Sequence, residues 1–305
     1  MKQKIKITSQ VSIYTNNLCN KTCNNCCGLA NYNFAGIFKW ETHADFYKKW
    51  SEILDFEVLS FVGGEPFLNP ELEVWYDNLR ELWPDAKFEV YTNGTRLDKL
   101  SNLVKKMISH PNTWITVSCH SAKDWEPTKN KILKLLTPLY DDLQITEEPI
   151  TENNLWNSLI FSYKGKKLIG LKNNDLMVRR YYKEVSNNTI FFEEDGDQEA
   201  SHSNCVFKDA YTFQHGLLYK CPPVVNYPEA KTQITYQPAV AEIFEQYTPI
   251  NPFDDFEIVK AAVDKLDKSI PVCKLCGYDK EVPLTLYPVT FDLSYKKQFK
   301  KPKSI

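Results

Sequence analysis

Residues 11–27 read VSIYTNNLCNKTCNNCC. Val11 to Thr15 is a short apolar, β-branched and aromatic run, the composition of a strand. Cys19, Cys23 and Cys26 follow it in a polar loop at C-x3-C-x2-C spacing. Three ligands from one loop suit a cubane iron–sulfur cluster, because they bind three of its irons and leave the fourth open. A structural zinc ion takes four protein ligands, and the adjacent Cys27 is the residue that would complete such a set. The stretch therefore reads as a metal-binding loop hung on the end of a strand, with iron–sulfur favoured over zinc.

Outward from this loop the chain alternates short strands with amphipathic helices. Thr42-His-Ala-Asp45 resembles a capping box, and Phe46, Trp50, Ile53 and Leu54 recur at helical spacing behind it. Val58 to Val62 is an apolar strand broken by Gly63-Gly64-Glu65-Pro66. Asn69-Pro70 reads as a helix start, with Leu72, Trp75, Leu79 and Leu82 on one face. Phe88 to Tyr91 is the next strand and ends in Thr92-Asn93-Gly94. Leu100, Leu103, Val104, Met107 and Ile108 form the helix stripe behind it. Trp114 to Ser118 is a fourth strand, ending at Cys119-His120, with a helix through Leu136. Repeated strand–helix units imply a parallel sheet. The unusual residues fall just after strand C-termini, where parallel α/β folds place their ligands.

Beyond residue 140 the alternation fades. Leu159 to Leu171 reads as a hairpin turning at Lys164-Gly165-Lys166, and Glu193 to His202 as a polar linker. From Cys205 onward the chain is Pro-rich and irregular, and it carries Cys205, Cys221, Cys273 and Cys276. A region this poor in pattern is expected to depend on a metal centre to fold.

The 305 residues are 43% hydrophobic and 25% charged, with a net charge of -2, and this balance does not point to a polyanion-binding surface. Neither a nucleic-acid nor a membrane partner is expected. Met1 to Gln10 alternates Lys with Ile and lacks the apolar core of a signal peptide, and no stretch is apolar enough to span a bilayer. The expected location is cytoplasmic. Nine cysteines in a reducing compartment are then metal ligands or catalysts rather than disulfide partners.

The cysteine triad after strand one, joined to Gly63-Gly64-Glu65-Pro66 after strand two, resembles the radical S-adenosylmethionine (radical SAM) superfamily. The resemblance covers roughly residues 8 to 195 and implies a partial (β/α)6 TIM-like barrel. It also implies a [4Fe–4S] cluster on Cys19, Cys23 and Cys26, with S-adenosylmethionine chelating the open iron. Gly63, Gly64, Glu65 and Pro66 would then form the turn that receives the methionine amino group, with Asn93 and Ser118 as further cofactor contacts and His120 beside them. One departure stands out: the family carries an aromatic residue before the third cysteine, near the adenine, where this chain has Asn25. The pattern C-x10-G-x4-C from Cys205 to Cys221, with Cys273-Lys-Leu-Cys276, resembles the shortened SPASM ("twitch") domain. That likeness implies one auxiliary [4Fe–4S] cluster on these four cysteines, and a division into a core at 1–195 and an auxiliary domain at 196–305.

The activity so implied is hydrogen abstraction by a 5′-deoxyadenosyl radical from a small polar substrate, such as a sugar or cyclitol alcohol. The auxiliary cluster would accept the remaining electron, making the chain a dehydrogenase-type oxidoreductase that needs a flavodoxin- or ferredoxin-like donor. Two other readings stay open. Cys119, at the end of strand four, could return a hydrogen atom and make the enzyme an epimerase, or the substrate could be a peptide. Alternatively, both cysteine groups could hold zinc in a non-catalytic module.

Overall fold

In the computed structural model the described residues are 4–23, 26–30, 34, 36–149, 157–173, 176–178, 184–186, 189–191, 196–205, 207–232, 235–276 and 286–288. Strand β1 (Ile5–Tyr14) leads into the cysteine loop. It is followed by α1 (Trp40–Ile53), β2 (Leu54–Val62), α2 (Leu72–Leu82), β3 (Lys87–Thr92), α3 (Ser101–Ser109), β4 (Thr113–Cys119) and α4 (Trp125–Leu136). These are the four strand–helix units expected from the periodicity. Strands β1 to β4 pair in parallel in that order.

Two helix starts differ from expectation, each for a tertiary reason. Helix α1 begins at Trp40 rather than Thr42, because the Trp40 N–H is satisfied by the Glu71 carboxylate at 3.0 Å, across from the start of α2. Asn69 does not cap α2 directly. Its Oδ1 accepts from the Glu71 N–H at 2.9 Å, while its Nδ2 donates to the Thr15 and Phe38 carbonyls at 2.7 and 3.1 Å. Asn69 thus ties the end of β1 to α2.

After α4 come β5 (Gln144–Glu148), β6 (Ser158–Tyr163) and β7 (Lys166–Asn173). Strand β7 pairs parallel with β4, whereas β6 is antiparallel to β7 and β5 antiparallel to β6. The hairpin read at residues 159–171 is present. Its two-residue turn, Lys164 and Gly165, has φ of 47° and 76°, the paired positive values of a type I′ turn. A turn this short returns the chain antiparallel, and a parallel crossover needs a dozen residues or more. Further parallel strand–helix units are therefore replaced here by antiparallel strands.

The chain then continues through the short strands β8 (Leu176–Val178), β9 (Glu184–Ser186) and β10 (Thr189–Phe191) to α5 (Gln198–Ser203), β11 (Tyr211–Gln214) and β12 (Leu217–Tyr219). Strand β11 pairs parallel with the free side of β1, through Val11 with Tyr211 and Ile13 with Phe213. The nine-stranded sheet runs β12-β11-β1-β2-β3-β4-β7-β6-β5. Among the described residues nothing joins β12 to β5, so the barrel expected from the resemblance is an open mixed sheet. The expected domain boundary at 195 lies outside the described residues.

The polar stretch 193–202, read as a linker, contains α5. Asp197 caps it, its Oδ1 accepting from the Ala200 N–H at 2.9 Å. The Pro-rich end is likewise more regular than expected, with α6 (Pro222–Ala230), α7 (Pro238–Glu245) and α8 (Phe256–Val263). Pro222 and Pro238 stand in first turns, where the missing N–H costs nothing.

The core lies between the sheet and the helices. Val11, Ile13, Leu59, Phe61, Phe88, Val90, Ile115 and Val117 are buried against Tyr47, Trp50, Trp75, Leu79, Val104 and Met107. Each such side chain contributes about 1.5–3 kcal/mol on burial. Among the described residues no helix is long and apolar enough to cross a membrane.

Candidate functional site

The cysteine loop leaves β1 at the C-terminal end of the parallel strands and is locked to the loop that follows β2. The Gly64 N–H donates to the Asn16 carbonyl at 3.1 Å and the Glu65 N–H to the Leu18 carbonyl at 2.7 Å. Asn16 Nδ2 returns a bond to the Glu65 carbonyl at 2.9 Å. Gly63 has φ of 140°, and a Cβ on it would collide with the Asn16 carbonyl oxygen. A Cβ on Gly64 would collide with the Leu18 carbonyl. The close approach that demands both glycines is thus to the cysteine loop itself. Pro66 is buried and opens a 3-10 turn, Pro66–Leu68.

Cys19, Cys23 and Cys26 come together in this loop. Burial pushes the Cys19 thiol up to about 12, and the neighbouring Cys26 adds to the effect. Cys23 is raised by burial first, then by Cys26 and Cys19. Cys19 Sγ accepts from the Lys21 N–H at 3.4 Å and from Asn93 Nδ2 at 3.8 Å. Among the described residues no three His, Cys, Asp or Glu side chains converge as a single metal ion requires. Three thiols on one loop are a donor set that fits a cubane bound through three of its irons. Asn25 lies outside the described residues. The Cys27 carbonyl accepts from Asn226 Nδ2 of α6 at 3.2 Å.

Glu65 is the hub between this loop and the one after β3. Its side chain is 1% exposed. Oε1 accepts from Thr92 Oγ1 at 2.7 Å and from the Phe67 N–H at 3.1 Å, and Oε2 accepts from the Asn93 N–H at 2.6 Å. Burial pushes the carboxyl above its ordinary range, while the bonds from Asn93, Thr92 and Phe67 pull it back. Asn93 carries the link onward, its Nδ2 donating to Asn20 Oδ1 at 2.8 Å. Asn93 therefore fastens the third strand's loop to the first cysteine.

The C-terminal cysteines also meet. Cys205, Cys221, Cys273 and Cys276 line one cavity, with His202 and Lys220 among the other wall residues. Cys205 follows α5, Cys221 precedes the first turn of α6, and the last two lie in a 3-10 turn, Pro271–Cys276. Three contacts clamp that turn to α5. A Cβ on Gly196 would collide with the Lys274 carbonyl, Gln198 Nε2 donates to Ser269 Oγ at 2.8 Å, and Ser269 Oγ donates to Glu199. Sulfur acceptors are already bonded to backbone: the Phe207 N–H to Cys205 at 3.3 Å and the Ile270 N–H to Cys273 at 3.4 Å. Burial pushes Cys221 up to about 12, with Cys273 and Cys205 adding to it. Such N–H···S bonds steady thiolate ligands and tune a cluster. These residues fit a four-thiolate centre.

The sequence model of the Radical SAM superfamily matches residues 13–138. That stretch is similar to a radical SAM domain. The family carries a [4Fe–4S] cluster and S-adenosylmethionine, and the match spans the cysteine loop, Gly63 to Pro66, Asn93 and Ser118. Among solved structures the chain is similar to BtrN in complex with AdoMet and 2-DOIA, at 16% identity over 93% of this chain and 100% of that one, with a TM-score of 0.48. It is also similar to native anSMEcpe with bound AdoMet and Cp18Cys peptide, at 18% identity over 43% of this chain and 40% of that one, with a TM-score of 0.34. No curated protein matches the sequence.

Along β3 and β4 the two faces of the sheet differ. Ser118, half-buried, shares the inner face with Thr116 and Trp114 of β4 and with Glu89 and Tyr91 of β3. Gln10 Nε2 reaches Ser60 Oγ at 2.5 Å, Glu89 Oε2 at 3.3 Å and the Tyr91 hydroxyl at 3.3 Å, and Thr116 donates to Glu89. The Lys167 ammonium lies 5.6 Å from the Trp114 ring. Sequence reading missed this polar face, whose signal is a polar residue at every second position of strands read as apolar. Cys119 lies on the opposite, helix-packed face, 2% exposed, with its Sγ donating to the Ser121 carbonyl at 3.2 Å.

Proposed function

We propose that this chain is a radical SAM oxidoreductase that removes hydrogen from a small polar substrate, such as a sugar or cyclitol alcohol. In this reading an auxiliary [4Fe–4S] cluster on Cys205, Cys221, Cys273 and Cys276 assists a net two-electron oxidation. The observation that carries the reading is the convergence of those four cysteines, from three separate stretches of chain, on one cavity. When bound, S-adenosylmethionine and its cluster supply a 5′-deoxyadenosyl radical, and the auxiliary cluster supplies an electron acceptor.

The chain's own part is to position and to shield. Cys19, Cys23 and Cys26 would hold three irons, with Cys19 steadied by Lys21 and Asn93. The Gly63–Glu65 loop is fixed beside them by its bonds to Asn16 and Leu18, where the methionine amino group would lie. Ser118, half-buried on the polar face of β4, offers a hydroxyl, a group that recognises a polyhydroxylated substrate. In this reading Cys119, buried on the helix-packed face of β4, packs rather than returning a hydrogen atom.

The test is anaerobic reconstitution followed by iron, sulfide and 5′-deoxyadenosine analysis with S-adenosylmethionine and dithionite. About eight irons and eight sulfides per chain are expected, two cubanes, falling to about four in Cys273→Ala/Cys276→Ala. Formation of 5′-deoxyadenosine is expected to be lost in Cys23→Ala. Zinc without sulfide at both cysteine groups would overturn the reading.

A further inference from the structure

Lys220 is out of place in the C-terminal cavity. It directly precedes Cys221, is 2% exposed, and lines the wall with all four cysteines. Its ammonium donates to the Leu266 carbonyl, and its backbone N–H donates to the Tyr247 hydroxyl at 2.7 Å. A carbonyl carries no charge to offset the ammonium. The nearby carboxylate, Asp267, attracts Lys220 only through space, its hydrogen bond going to Lys268 at 2.9 Å. A buried cation with no bonded counter-charge is costly, and natural proteins pair such groups. Here the groups that surround it are thiols, which turn anionic when a metal centre takes their protons. A second wall residue points the same way. His202 Nε2 is buried and has no hydrogen-bond partner among the described residues, so a buried polar atom stands unpaired on a residue of the same wall.

We propose that Lys220 is the counter-charge of the metal centre held by Cys205, Cys221, Cys273 and Cys276, and that its charge raises that centre's reduction potential. The inference rests on the auxiliary-cluster reading and deepens it. A fixed positive charge against a buried cluster favours the reduced, more negative form. Lys220 thereby biases the centre toward accepting an electron, the direction that a substrate oxidation requires. Its role is electrostatic tuning, since the ammonium is bonded to protein and not to the reacting atoms.

The experiment uses the full chain carrying Cys19→Ala, Cys23→Ala and Cys26→Ala, so that only the C-terminal site loads. Iron and sulfide are counted, and the one-electron potential is read by an EPR-monitored redox titration. Lys220→Met is expected to shift the one-electron equilibrium at least tenfold toward the oxidised form, 59 mV more negative. Lys220→Arg, which keeps the charge, is expected to hold the parent potential. The same substitutions in the chain with all nine cysteines, titrated alongside, supply the comparison if the triple variant folds poorly. Loss of iron in Lys220→Met but not in Lys220→Arg would also support the counter-charge. A loaded Lys220→Met with the parent potential, or a Lys220→Arg displaced as far as Lys220→Met, overturns the inference while leaving the cluster reading intact. Absence of iron and sulfide from the parent site overturns the cluster reading and the inference with it.

Discussion

Glu65→Gln separates two jobs for one carboxylate. If Glu65 is mainly the clamp between the loops after β2 and β3, its loss is felt in stability before any ligand is added. The amide can keep its oxygen at Oε1, where Thr92 and Phe67 both donate. Its nitrogen then faces the Asn93 N–H, which now donates to Oε2 at 2.6 Å. A charge-assisted bond contributes about 1.5–3 kcal/mol, and the stranded N–H adds about 1–3 kcal/mol. Removing the buried charge returns part of this, because burial already disfavours the ionised carboxyl. The net expectation is a loss of about 2 kcal/mol, or about 4–8 °C in Tm at the 2–4 °C per kcal/mol typical of larger domains. Urea unfolding gives the free energy, and hydrogen–deuterium exchange across residues 92–95 locates it, with the Asn93 amide losing protection. A variant that unfolds within about 0.5 kcal/mol of wild type and keeps that amide protected, yet binds S-adenosylmethionine more weakly, would refute the clamp and make the carboxylate a ligand contact.

Gly64→Ala is expected to part the two loops, because its Cβ would collide with the Leu18 carbonyl; reconstituted iron at the first site should fall several-fold, read by colorimetric iron analysis. Cys119→Ala removes one small buried group from the helix-packed face of β4. It is expected to cost about 1 kcal/mol by urea unfolding and to leave 5′-deoxyadenosine formation within twofold of wild type. Burial, reinforced by His215, holds His43 down at about 4 against the ordinary 6.5. The unfolded chain therefore binds the extra proton between those values. Stability contributed by His43 is present above about pH 6.5 and is lost as pH falls toward 4, with a ceiling of about 3 kcal/mol at 1.36 kcal/mol per pH unit. His43→Leu is expected to flatten this acid limb in denaturation curves taken from pH 7 to 4.

What the sequence determined by itself is local in origin. The C-x3-C-x2-C loop, the Gly63-Gly64 turn, the faces of α1 to α3 and the Lys164-Gly165 hairpin each depend on spacing within a few residues, so periodicity and turn chemistry expose them. What only the tertiary structure decided depends on groups far apart in the chain. Glu71 sets the start of α1, and Glu65 spends both oxygens on the β3 loop and its own turn. Strand β11 adds to β1 across about 200 residues, where no pattern in either strand names its partner. The paired spacings of the last four cysteines hinted at a common site, but their meeting depends on Gly196, Gln198 and Ser269 clamping α5 to the final turn. Lys220 carries no sequence signal, since a lysine beside a cysteine is ordinary until burial removes the water that would have solvated it.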